Sequence, residues 1–374
     1  MNIGLYISPA HAVPPKENSI LAPWILVHQL AEGLVADGHD VTLFAAKGSK
    51  TKAKLVSGGI DPAVEKLPEY GDKDDYRAYV VAQELALMRE VIGCAKAGKL
   101  DIVHIHQPVE RLYPALLAMP AHIPVVITFH DPISPARFAA LEKLMELGNI
   151  HFVSLSKSQQ HGVPFPFAAV VPNGVDTKQF IPDRALPLHK RPLLMTGRIV
   201  QQKGFGDAIE AAKRSAMRLL IIGQEYPHQK IAHAYFETEV KPYIDGKHVL
   251  WESVVKHEHL VGHYQTAAAL LFPIQWEEPF GLVMIEAMSC GTPVIAYNRG
   301  SVPEIVVDGK TGFIVDPEKG VDGLADAIKH IGDIDRKVCR TYVEKHFSLE
   351  IMVKGYEAVY KKILHSSGSG MSSK

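Results

Sequence analysis

The sequence has little cysteine, no surplus of either charge and no long apolar run. Its three cysteines, Cys94, Cys290 and Cys339, are far apart and form no Cys-x-x-Cys pair. This argues against a disulfide framework or a structural zinc site and predicts a reducing, cytoplasmic environment. Forty Lys and Arg residues against forty-one Asp and Glu residues give a net charge of −1, which argues against nucleic acid as the main partner. No apolar run approaches about 18 residues, so no transmembrane helix is predicted.

Signals for secretion and for membrane attachment are also weak. The first residues, MNIGLYISPA, have no basic segment before the apolar run and are typical of a first strand, not of a signal peptide. Acidic residues slightly outnumber basic ones over residues 1–180, and the helical stretch Ile20–Asp37 contains no Lys or Arg. Trp24 and Leu30 on that stretch therefore fit a packed core better than a membrane surface. We expect a soluble protein with a soluble or diffusible partner.

The sequence does contain a regular alternation of short apolar runs and helical stretches. The runs are rich in β-branched residues and mostly lack polar alternation, as in parallel strands covered on both faces. A length of 374 residues, 47% of them hydrophobic, is enough for about two domains. The alternation predicts an α/β fold with two doubly wound, Rossmann-like parallel sheets. The predicted strands are Ile3–Ile7, Val41–Ala45, Ile102–Ile105, Val125–Phe129, Phe152–Leu155, Ala169–Val171, Leu193–Thr196, Arg218–Ile222, Val249–Trp251, Ala269–Phe272, Val294–Ala296 and Gly312–Val315.

A segment rich in proline and basic residues, Pro172–Pro192, separates the two halves and predicts domains over residues 1–175 and 190–345. A last helix, Leu349–Leu364, carries apolar and aromatic residues at helical spacing and precedes no strand, so we expect it to pack against another surface. The Ser/Gly-rich end, residues 365–374, predicts a disordered tail or an expression remnant. Ligands of such sheets bind beyond the carboxyl ends of the strands, so functional residues are sought in the turns that follow strands.

The stretch IQWEEPFGLVMIEAMSCGTPVIAYNRG, residues 274–300, carries two carboxylates around a predicted helix start. Glu278 precedes the helix, and Glu286 lies on its second turn, roughly 7–9 Å from the start at 1.5 Å per residue. The free backbone N–H groups of Phe280, Gly281 and Leu282 between them can bind an anion. The layout suits a sugar, a diphosphate and a ribose in a row. Equally, both glutamates can be solvated residues that the helix dipole favours.

The turn TGRIVQQKG, residues 196–204, places two cations after a strand. Arg198 and Lys203 suit a diphosphate, the first as a planar fork and the second as a point charge. A surface pair without a ligand is the alternative. The sequence contains no G-x-G-x-x-G dinucleotide fingerprint.

Histidines follow two strands of the first half. His104 and His106 lie in DIVHIH, and His130 directly follows a strand in ITFHDP. At such a position His130 can bond a phosphate or a sugar hydroxyl, and as an imidazolium it can stabilise departing negative charge. Since the chain has nineteen histidines, several must have ordinary structural roles. Two Asp-x-Asp matches, at residues 72–74 and 333–335, lie in a polar loop or near a helix end and fit solvated charge better than metal ligands. No P-loop and no Gly-x-Ser-x-Gly is present, so neither a metal nor another cofactor is predicted.

Taken together, these motifs resemble glycosyltransferase family 4, a family of retaining enzymes. The resemblance covers most of residues 2–362 in the expected order. It implies the GT-B fold, in which two Rossmann-like domains face a cleft, the first binding mainly the acceptor and the second mainly the donor, with the last helix crossing back to the first domain. The segments that carry it are LAEGLVADGHDVTLFAAKGS, DIVHIH, ITFHDP, PNGVD, TGRIVQQKG, EPFGLVMIEAMSCGTPVIA and GSVPEIVVDGKTGFIV.

The resemblance implies a role for each matching residue of the second half. Arg198 and Lys203 hold the donor diphosphate, and Glu286 holds the ribose hydroxyls. Glu278, with the amides of residues 280–282, holds the transferred sugar and its phosphate. Val254, a weaker match, falls where the family places the nucleotide base against backbone.

In the first half, the resemblance places His130 near the anomeric centre, where it orients the sugar, and makes His106 a candidate on the acceptor side. One departure concerns the first loop, His11–Trp24. Relatives often carry a Gly-Gly pair there, and this sequence has no glycine in the loop. Lys16 and Asn18 are the residues that can partly substitute.

The resulting hypothesis is a retaining, metal-independent transfer of a hexose from a nucleoside-diphosphate sugar, with UDP-sugars as the family's common donors, to an acceptor hydroxyl. Two alternatives from other classes stay open. One is a GT-B enzyme of other chemistry, such as a nucleotide-sugar epimerase or a phosphorylase, which a product assay would reveal. The other is a non-catalytic nucleotide-sugar-binding protein, which would bind donor without turnover. The acceptor is not apparent from the sequence.

Overall fold

The computed structural model describes residues 1–15, 21–70, 73–107, 109–183, 187–253, 255 and 257–369. Over these residues the chain forms two parallel sheets of seven and six strands, as the alternation of apolar runs and helices predicts. The strands of the first sheet are β1 (Asn2–Tyr6), β2 (Asp40–Phe44), β3 (Lys54–Val56), β4 (Ile102–Ile105), β5 (Val125–Thr128), β6 (Ile150–Ser154) and β7 (Ala169–Val170). Those of the second are β8 (Leu193–Thr196), β9 (Leu219–Ile222), β10 (Val249–Glu252), β11 (Leu270–Phe272), β12 (Val294–Tyr297) and β13 (Gly312–Val315).

The helices up to residue 305 lie between strands, as expected for crossover connections, and the last three follow the final strand. In the first half they are α1 (Ala22–Ala36), α2 (Lys73–Lys96), α3 (Tyr113–Leu116) and α4 (Phe138–Met145). In the second half they are α5 (Phe205–Arg214), α6 (Lys230–Tyr235), α7 (His257–Thr266), α8 (Leu282–Ser289), α9 (Val302–Ile305), α10 (Gly320–Lys329), α11 (Arg336–His346) and α12 (Leu349–Ser369).

Both sheets are doubly wound and share one strand order. The first runs β3-β2-β1-β4-β5-β6-β7 and the second β10-β9-β8-β11-β12-β13. In each, the chain moves outward from a central strand in one direction and then returns to its other side. The order therefore reverses between β1 and β4, and between β8 and β11. Ligands of open α/β sheets bind beyond the carboxyl ends of the strands at such a reversal.

The chain divides into two compact units, each built on one sheet. The first comprises Met1–Leu155, Gln160–Pro172 and the chain from Met352 onward. The second comprises Ser156–Gln159 and Asn173–Ile351. Each unit has its own cluster of buried apolar residues. Strands β4 and β12 are buried along their whole length, as expected for strands covered by helices.

Helix α12 packs in the first unit, as the resemblance implies. Val353 on α12 lies against Gly33 of α1, and Tyr356 and Tyr360 are buried beside β4 and β5. The helix is longer than predicted. It continues through residues 365–369, where we expected a disordered tail, because the backbone contains no proline to stop it and Ser366 returns a side-chain bond to the Lys362 carbonyl. Residues 370–374 lie outside the described residues.

Two further elements carry no apolar run of the kind used for prediction. Strand β3 is three residues long and sits at the edge of its sheet. Helix α11 is mostly polar and begins at an Asp335 cap, whose carboxylate accepts the Lys337 N–H. In the described part of the chain, no helix is both long and apolar enough to cross a membrane.

The contact between α1 and α12 leaves no room for a side chain at Gly33. A Cβ there would lie 2.5 Å from Val353 Cγ2, whereas a Cβ at Gly93, on the open side of α2, would meet nothing within 4 Å. Both glycines are inside helices, so alanine gains about 0.5–1 kcal/mol of helix propensity at either site. At Gly33 overpacking costs about 1–3 kcal/mol and outweighs this gain.

We therefore expect Gly33→Ala to lower the midpoint of chemical denaturation and Gly93→Ala to raise it slightly. Circular dichroism during urea titration measures both. Equal shifts for the two variants would show that α12 does not pack on α1 as described.

Candidate functional site

Apart from Val254, the predicted donor-binding residues of the second unit lie near the reversal of its strand order, between β8 and β11. The chain leaves β8 at Gly197, which has a φ of +136°, and reaches α5 through Gly204, whose φ is +76°. A side chain at Gly204 would clash with the Pro273 carbonyl just after β11. The Gln275 N–H also donates to the Gln202 carbonyl at 2.8 Å. The turns after β8 and β11 are therefore fastened to each other.

Lys203 and Glu278 form an ion pair across these two turns. The distance from Lys203 Nζ to Glu278 Oε2 is 2.7 Å, and both side chains are about one-seventh exposed (15% and 13%). Trp276 Nε1 donates to the same carboxylate oxygen at 2.7 Å. The ammonium also lies 5.6 Å from the ring centres of Phe272 and Trp276. Such partial burial and cation–π contact hold the lysine in one place.

Arg198 has a different environment. Its side chain is exposed, and within the described residues it forms no ion pair. Its guanidinium lies close enough to Tyr226 to oppose part of the rise that burial causes in the pKa of that phenol. The structure thus presents Arg198 as a cation open to solvent, beside a lysine that already has a carboxylate partner.

Hydrogen bonds to its carbonyl groups hold the loop Glu277–Gly281 in place. The Ser301 N–H donates to the Glu278 carbonyl at 3.0 Å, and the Ser301 hydroxyl donates to that of Phe280 at 2.6 Å. The Ser156 hydroxyl donates to the Pro279 carbonyl at 2.7 Å. The Glu277 carboxylate accepts the Gly300 N–H at 2.6 Å.

The same loop leads directly into the start of α8. Gly281 is the residue before α8 and has a φ of +83°, a left-handed conformation that glycine adopts without strain. Over the described ranges, no protein acceptor contacts the backbone N–H groups of Phe280, Gly281 and Leu282. The loop carbonyls are hydrogen-bonded, whereas these three amides are open. The start of α8 therefore has the backbone donors that the sequence predicts for binding an anion.

Glu286 lies on the second turn of α8 and is 8% exposed. Its Oε2 accepts a 2.8 Å hydrogen bond from the Tyr264 hydroxyl, which also lies 3.3 Å from Thr196 Oγ1 at the end of β8. Burial and the neighbouring Glu286 charge raise the pKa of Tyr264 well above its usual value, so the phenol stays protonated and donates. Burial, with the same carboxylate, raises the pKa of the Cys290 thiol to about 12, which makes it inert.

The histidines of the first unit form one hydrogen-bonded chain at the first reversal of strand order. His130 Nε2 lies 3.1 Å from His106 Nδ1, and His106 Nε2 lies 3.2 Å from His104 Nδ1. His104 continues the chain to the Tyr360 hydroxyl at 2.6 Å and to Thr128 Oγ1 at 2.8 Å. The chain runs from a partly exposed ring to the fully buried α12 tyrosines.

Burial makes these histidines neutral. It lowers the pKa of His104 and His106 well below the usual value and that of His130 to about 4. This favours a neutral ring over the imidazolium expected for His130 in the folded chain at neutral pH. Burial removes hydration from the charged form of the ring and so disfavours it.

The structure distinguishes the two histidines proposed for ligand contact. Both ring nitrogens of His106 are bonded to other histidines, and its side chain is 3% exposed. In the described part of the chain only one ring nitrogen of His130 has a partner. Placement thus favours His130 for contact with a ligand and His106 for positioning it. Lys16, Asn18 and Val254, also predicted to contact ligands, lie outside the described residues.

Several residues of the site were not predicted. Tyr264, Trp276 and Ser301 each hold a predicted residue or its loop, and Tyr360 ends the histidine chain. Tyr360 belongs to the aromatic pattern of the last helix, Trp276 lies in the stretch 274–300 that carries the two carboxylates, and Ser301 lies in a segment that carries the family resemblance. Their contacts, and that of Tyr264 on α7, depend on how the loops and helices pack.

A group of potential metal ligands lies elsewhere in the second unit. Glu225, His233 and Glu237 each offer one ligand atom, and these three atoms lie within 4.8 Å of one another. Lys241 Nζ, however, lies 2.8 and 2.9 Å from the two Glu237 carboxylate oxygens. His233 Nδ1 is also 2.9 Å from Glu225 Oε1. These contacts make the group an ion-pair network at the partly exposed surface.

Comparison with protein families gives two adjoining matches. Residues 25–179 match the family described as Glycosyltransferase Family 4, and residues 176–345 match the family described as Glycosyl transferases group 1. The first match lies in the first half of the chain, and the second covers the turns after β8 and β11.

Similar curated proteins include a 41.2 kDa protein from the cps region of Klebsiella pneumoniae, described as uncharacterized. It is 32% identical over 175 residues, which span 45% of this chain and 46% of that protein. A glycogen synthase of Mycobacterium tuberculosis is 27% identical over 347 residues, covering 82% of this chain and 81% of the relative.

Solved structures share the fold along nearly the whole chain. A sucrose-phosphate synthase of Thermosynechococcus elongatus superimposes with a TM-score of 0.73 at 22% identity, over 97% of this chain and 99% of that one. The Anabaena protein Alr3699/HepE, solved in complex with UDP and glucose, gives a TM-score of 0.66 at 17% identity, over 99% of this chain and 100% of the other. At these identities the likeness establishes the fold.

The neutral histidine chain predicts that acid destabilises the protein. The unfolded His130 binds a proton below about pH 6.5, whereas the folded residue does so only near pH 4, so protons favour unfolding between these values. The stability that the neutral His130 contributes is fully present above about pH 6.5 and is lost as the pH falls toward 4. This loss has an upper bound of about 3 kcal/mol. We expect His130→Asn to flatten the dependence of unfolding free energy on pH over this range.

The matched control is His189→Asn, at an exposed position, which should leave the slope unchanged. Denaturant unfolding at a series of pH values measures both variants. A slope for His130→Asn equal to that of the unaltered protein would contradict a neutral His130 in the folded state.

Proposed function

The chain belongs to the group 1 glycosyltransferases of family 4, and we propose that it moves a hexose from a UDP-sugar to an acceptor hydroxyl. The family is a retaining one with the GT-B fold, and its members transfer sugar from nucleotide-sugars. We further propose that this transfer retains the anomeric configuration and needs no metal ion. The name of the glycogen synthase relative and the UDP and glucose bound to the Anabaena structure support a hexosyl donor of this kind.

The observation that carries the proposal is the Lys203–Glu278 pair beside the open start of α8. The pair joins the residue proposed for the diphosphate to the residue proposed for the sugar, at a reversal of strand order. A lysine ammonium has three N–H donors, and within the described residues Glu278 is the single hydrogen-bond acceptor that contacts it. Lys203 therefore retains donors for a phosphate oxygen while it fixes the carboxylate.

Charge on the departing diphosphate is the main chemical problem of the reaction. We assign it to Arg198, Lys203 and the amides of Phe280, Gly281 and Leu282. The exposed guanidinium supplies a planar fork, and the helix start supplies fixed dipoles that need no reorganisation as charge develops. This set of donors performs the role that a divalent cation has in other transferases.

The nucleoside end of the donor is assigned to Glu286. The Tyr264 hydroxyl orients its carboxylate, leaving it in a fixed position for the ribose hydroxyls. The assignment of Val254 to the nucleotide base rests on the family resemblance alone.

Transfer itself is assigned to positioning by Glu278 and His130. Glu278 is held by Lys203 and Trp276 and binds hydroxyls of the transferred sugar. His130, neutral, is assigned to orienting a sugar hydroxyl, the role that the family resemblance implies for it. The acceptor hydroxyl attacks on the face from which the diphosphate leaves, and the leaving phosphate takes its proton, so configuration is retained without a covalent nucleophile.

We assign donor binding to residues 190–345 and acceptor binding to residues 1–175 with the helix over 349–364. Lys16 and Asn18 in the first loop stay candidates for acceptor contact. His106 contributes on this side by supporting His130, as its two histidine contacts indicate.

Arg198→Ala and Lys203→Ala test the diphosphate assignment. Each removes about one charge-assisted contact, so we expect at least a roughly tenfold loss in kcat/KM for the nucleotide-sugar. Lys213→Ala, on the exposed side of neighbouring α5, should have no effect. Initial rates with a UDP-hexose and released UDP as the readout measure all three.

Loss of Lys203 also leaves Glu278 without its cation, so unfolding is measured in parallel. The double variant Lys203→Met/Glu278→Gln, which removes both charges together, controls for the isolated carboxylate. Unaltered kinetics in both Arg198→Ala and Lys203→Ala would remove the diphosphate assignment.

The donor is tested by thermal shift with UDP-, GDP- and ADP-sugars at equal concentration. We expect the largest rise in melting temperature with a UDP-hexose, because ligand that binds only the folded state stabilises it. Product analysis with labelled donor and an acceptor panel follows. A free epimerised nucleotide-sugar, a sugar phosphate, or binding without any turnover would each overturn the transfer reaction.

A further inference from the structure

We propose that Tyr360 of α12 fixes the tautomer of His130 through His104 and His106, so that His130 presents an unprotonated Nδ1 to ligand. His130 then accepts a hydrogen bond from a ligand hydroxyl and donates none. The proton arrangement follows from contacts inside the first unit, and only the identity of the ligand rests on the proposed function. Tyr360, His104 and His106 are positioning residues in this scheme.

The arrangement begins at the buried end, with Tyr360. Its side chain is 0% exposed and its hydroxyl lies 2.6 Å from His104 Nδ1. Among the described residues this nitrogen is the single hydrogen-bond partner of the phenol. Burial raises the pKa of Tyr360 well above its usual value, so the hydroxyl keeps its proton. A buried O–H that donates to no acceptor loses its hydrogen bond to water without compensation. Tyr360 therefore donates to His104 Nδ1, and this nitrogen carries no proton.

His104 then has one possible form. A neutral imidazole carries a proton on one nitrogen only, so with Nδ1 bare the proton is on Nε2. His104 Nε2 lies 2.8 Å from Thr128 Oγ1, which accepts it. Tyr360 on one side and Thr128 on the other therefore hold the ring in a single tautomer.

The next two rings follow in turn. His106 Nε2 lies 3.2 Å from the bare His104 Nδ1, and the two ring centres are 3.8 Å apart. The Nδ1 lone pair accepts from Tyr360, but the partial negative charge on this nitrogen still attracts an N–H and repels a second bare nitrogen, so the contact favours His106 with its proton on Nε2. His106 Nδ1 is then bare and accepts from His130 Nε2 at 3.1 Å. His130, also neutral, therefore has its proton on Nε2 and a lone pair on Nδ1.

The free lone pair determines what His130 recognises. A sugar hydroxyl has a proton to donate to Nδ1, whereas an ionised phosphate oxygen is itself an acceptor and gains nothing there. The arrangement thus assigns His130 to a hydroxyl group of the substrate and not to the diphosphate. The opposite tautomer would reverse this preference.

Two tyrosines on α12 provide a matched pair of variants. Tyr360→Phe removes the hydroxyl that donates to His104. The hydrogen bonds along the histidine chain can then run in either direction, so both tautomers of His130 become possible. Tyr356→Phe removes a hydroxyl that contacts Thr128 Oγ1 at 3.2 Å and no histidine nitrogen. Both keep the ring and lose one buried hydroxyl, so a purely structural effect would be similar in the two.

The test is two-bond ¹H–¹⁵N NMR of the histidine rings in the full-length, donor-free protein, with His130 assigned from the signal that His130→Asn removes. We expect the Nε2–H form of His130 in the unaltered protein and in Tyr356→Phe. In Tyr360→Phe we expect ring nitrogen shifts intermediate between the two tautomers. In sugar transfer, kcat of Tyr360→Phe should fall at least twofold, in proportion to the remaining Nε2–H fraction, with donor KM within about twofold.

The Nδ1–H form in the unaltered protein, or identical His130 signals in both tyrosine variants, would overturn the proposal even when the enzyme transfers sugar. If the tautomers are as expected but the protein turns over no nucleotide-sugar, the result would overturn the proposed function and leave the histidine chain established. A fall in kcat that is equal in the two tyrosine variants would reduce Tyr360 to a packing residue.

Discussion

Strand polarity is the constraint from which the candidate site follows. In a parallel sheet every carboxyl end lies along one edge, and a doubly wound order leaves a single gap where the crossovers separate to opposite faces. The chain contains this order twice, with gaps between β1 and β4 and between β8 and β11. His106 follows β4, Lys203 follows β8 and Glu278 follows β11. Within the second unit, Lys203 and Glu278 therefore meet because β8 and β11 are neighbours, and within the first unit His106 meets His130 because β4 and β5 are neighbours.

Burial of polar groups is what gives those residues defined chemical states. A group removed from water must find a partner, so Glu286 accepts from Tyr264 and the Glu278 carboxylate accepts from Lys203 and Trp276. The histidine chain obeys the same rule with neutral groups, and its direction is set at the Tyr360 end. In each unit, protein contacts thus hold the donors and acceptors in fixed positions, which is the arrangement on which electrostatic catalysis by the proposed function would depend.

The motifs of family 4 explain why much of this site was predictable. Arg198, Lys203, Glu278 and Glu286 were assigned from short segments that follow strands, and these segments lie in or beside the turns that the structure places at the second gap. The charge state of His130 was not predictable in this way. Its low pKa comes from surroundings that the flanking residues Phe129 and Asp131 do not reveal. The helix beyond Leu364 was likewise missed, since serine and glycine lower helix propensity without forbidding a helix.

The amino-acid sequence alone predicted the architecture, because the periodicity of apolar residues indicates whether a segment becomes a covered strand or an amphipathic helix. It also identified the family and the residues that stand just after strands. The partner of each of those residues, and with it the protonation state and the direction of hydrogen bonding, depends on tertiary packing. Tyr360 lies 256 residues from His104 in the chain and 2.6 Å from it in space. Contacts of that kind depend on how α12 packs against the first sheet, which no local pattern encodes.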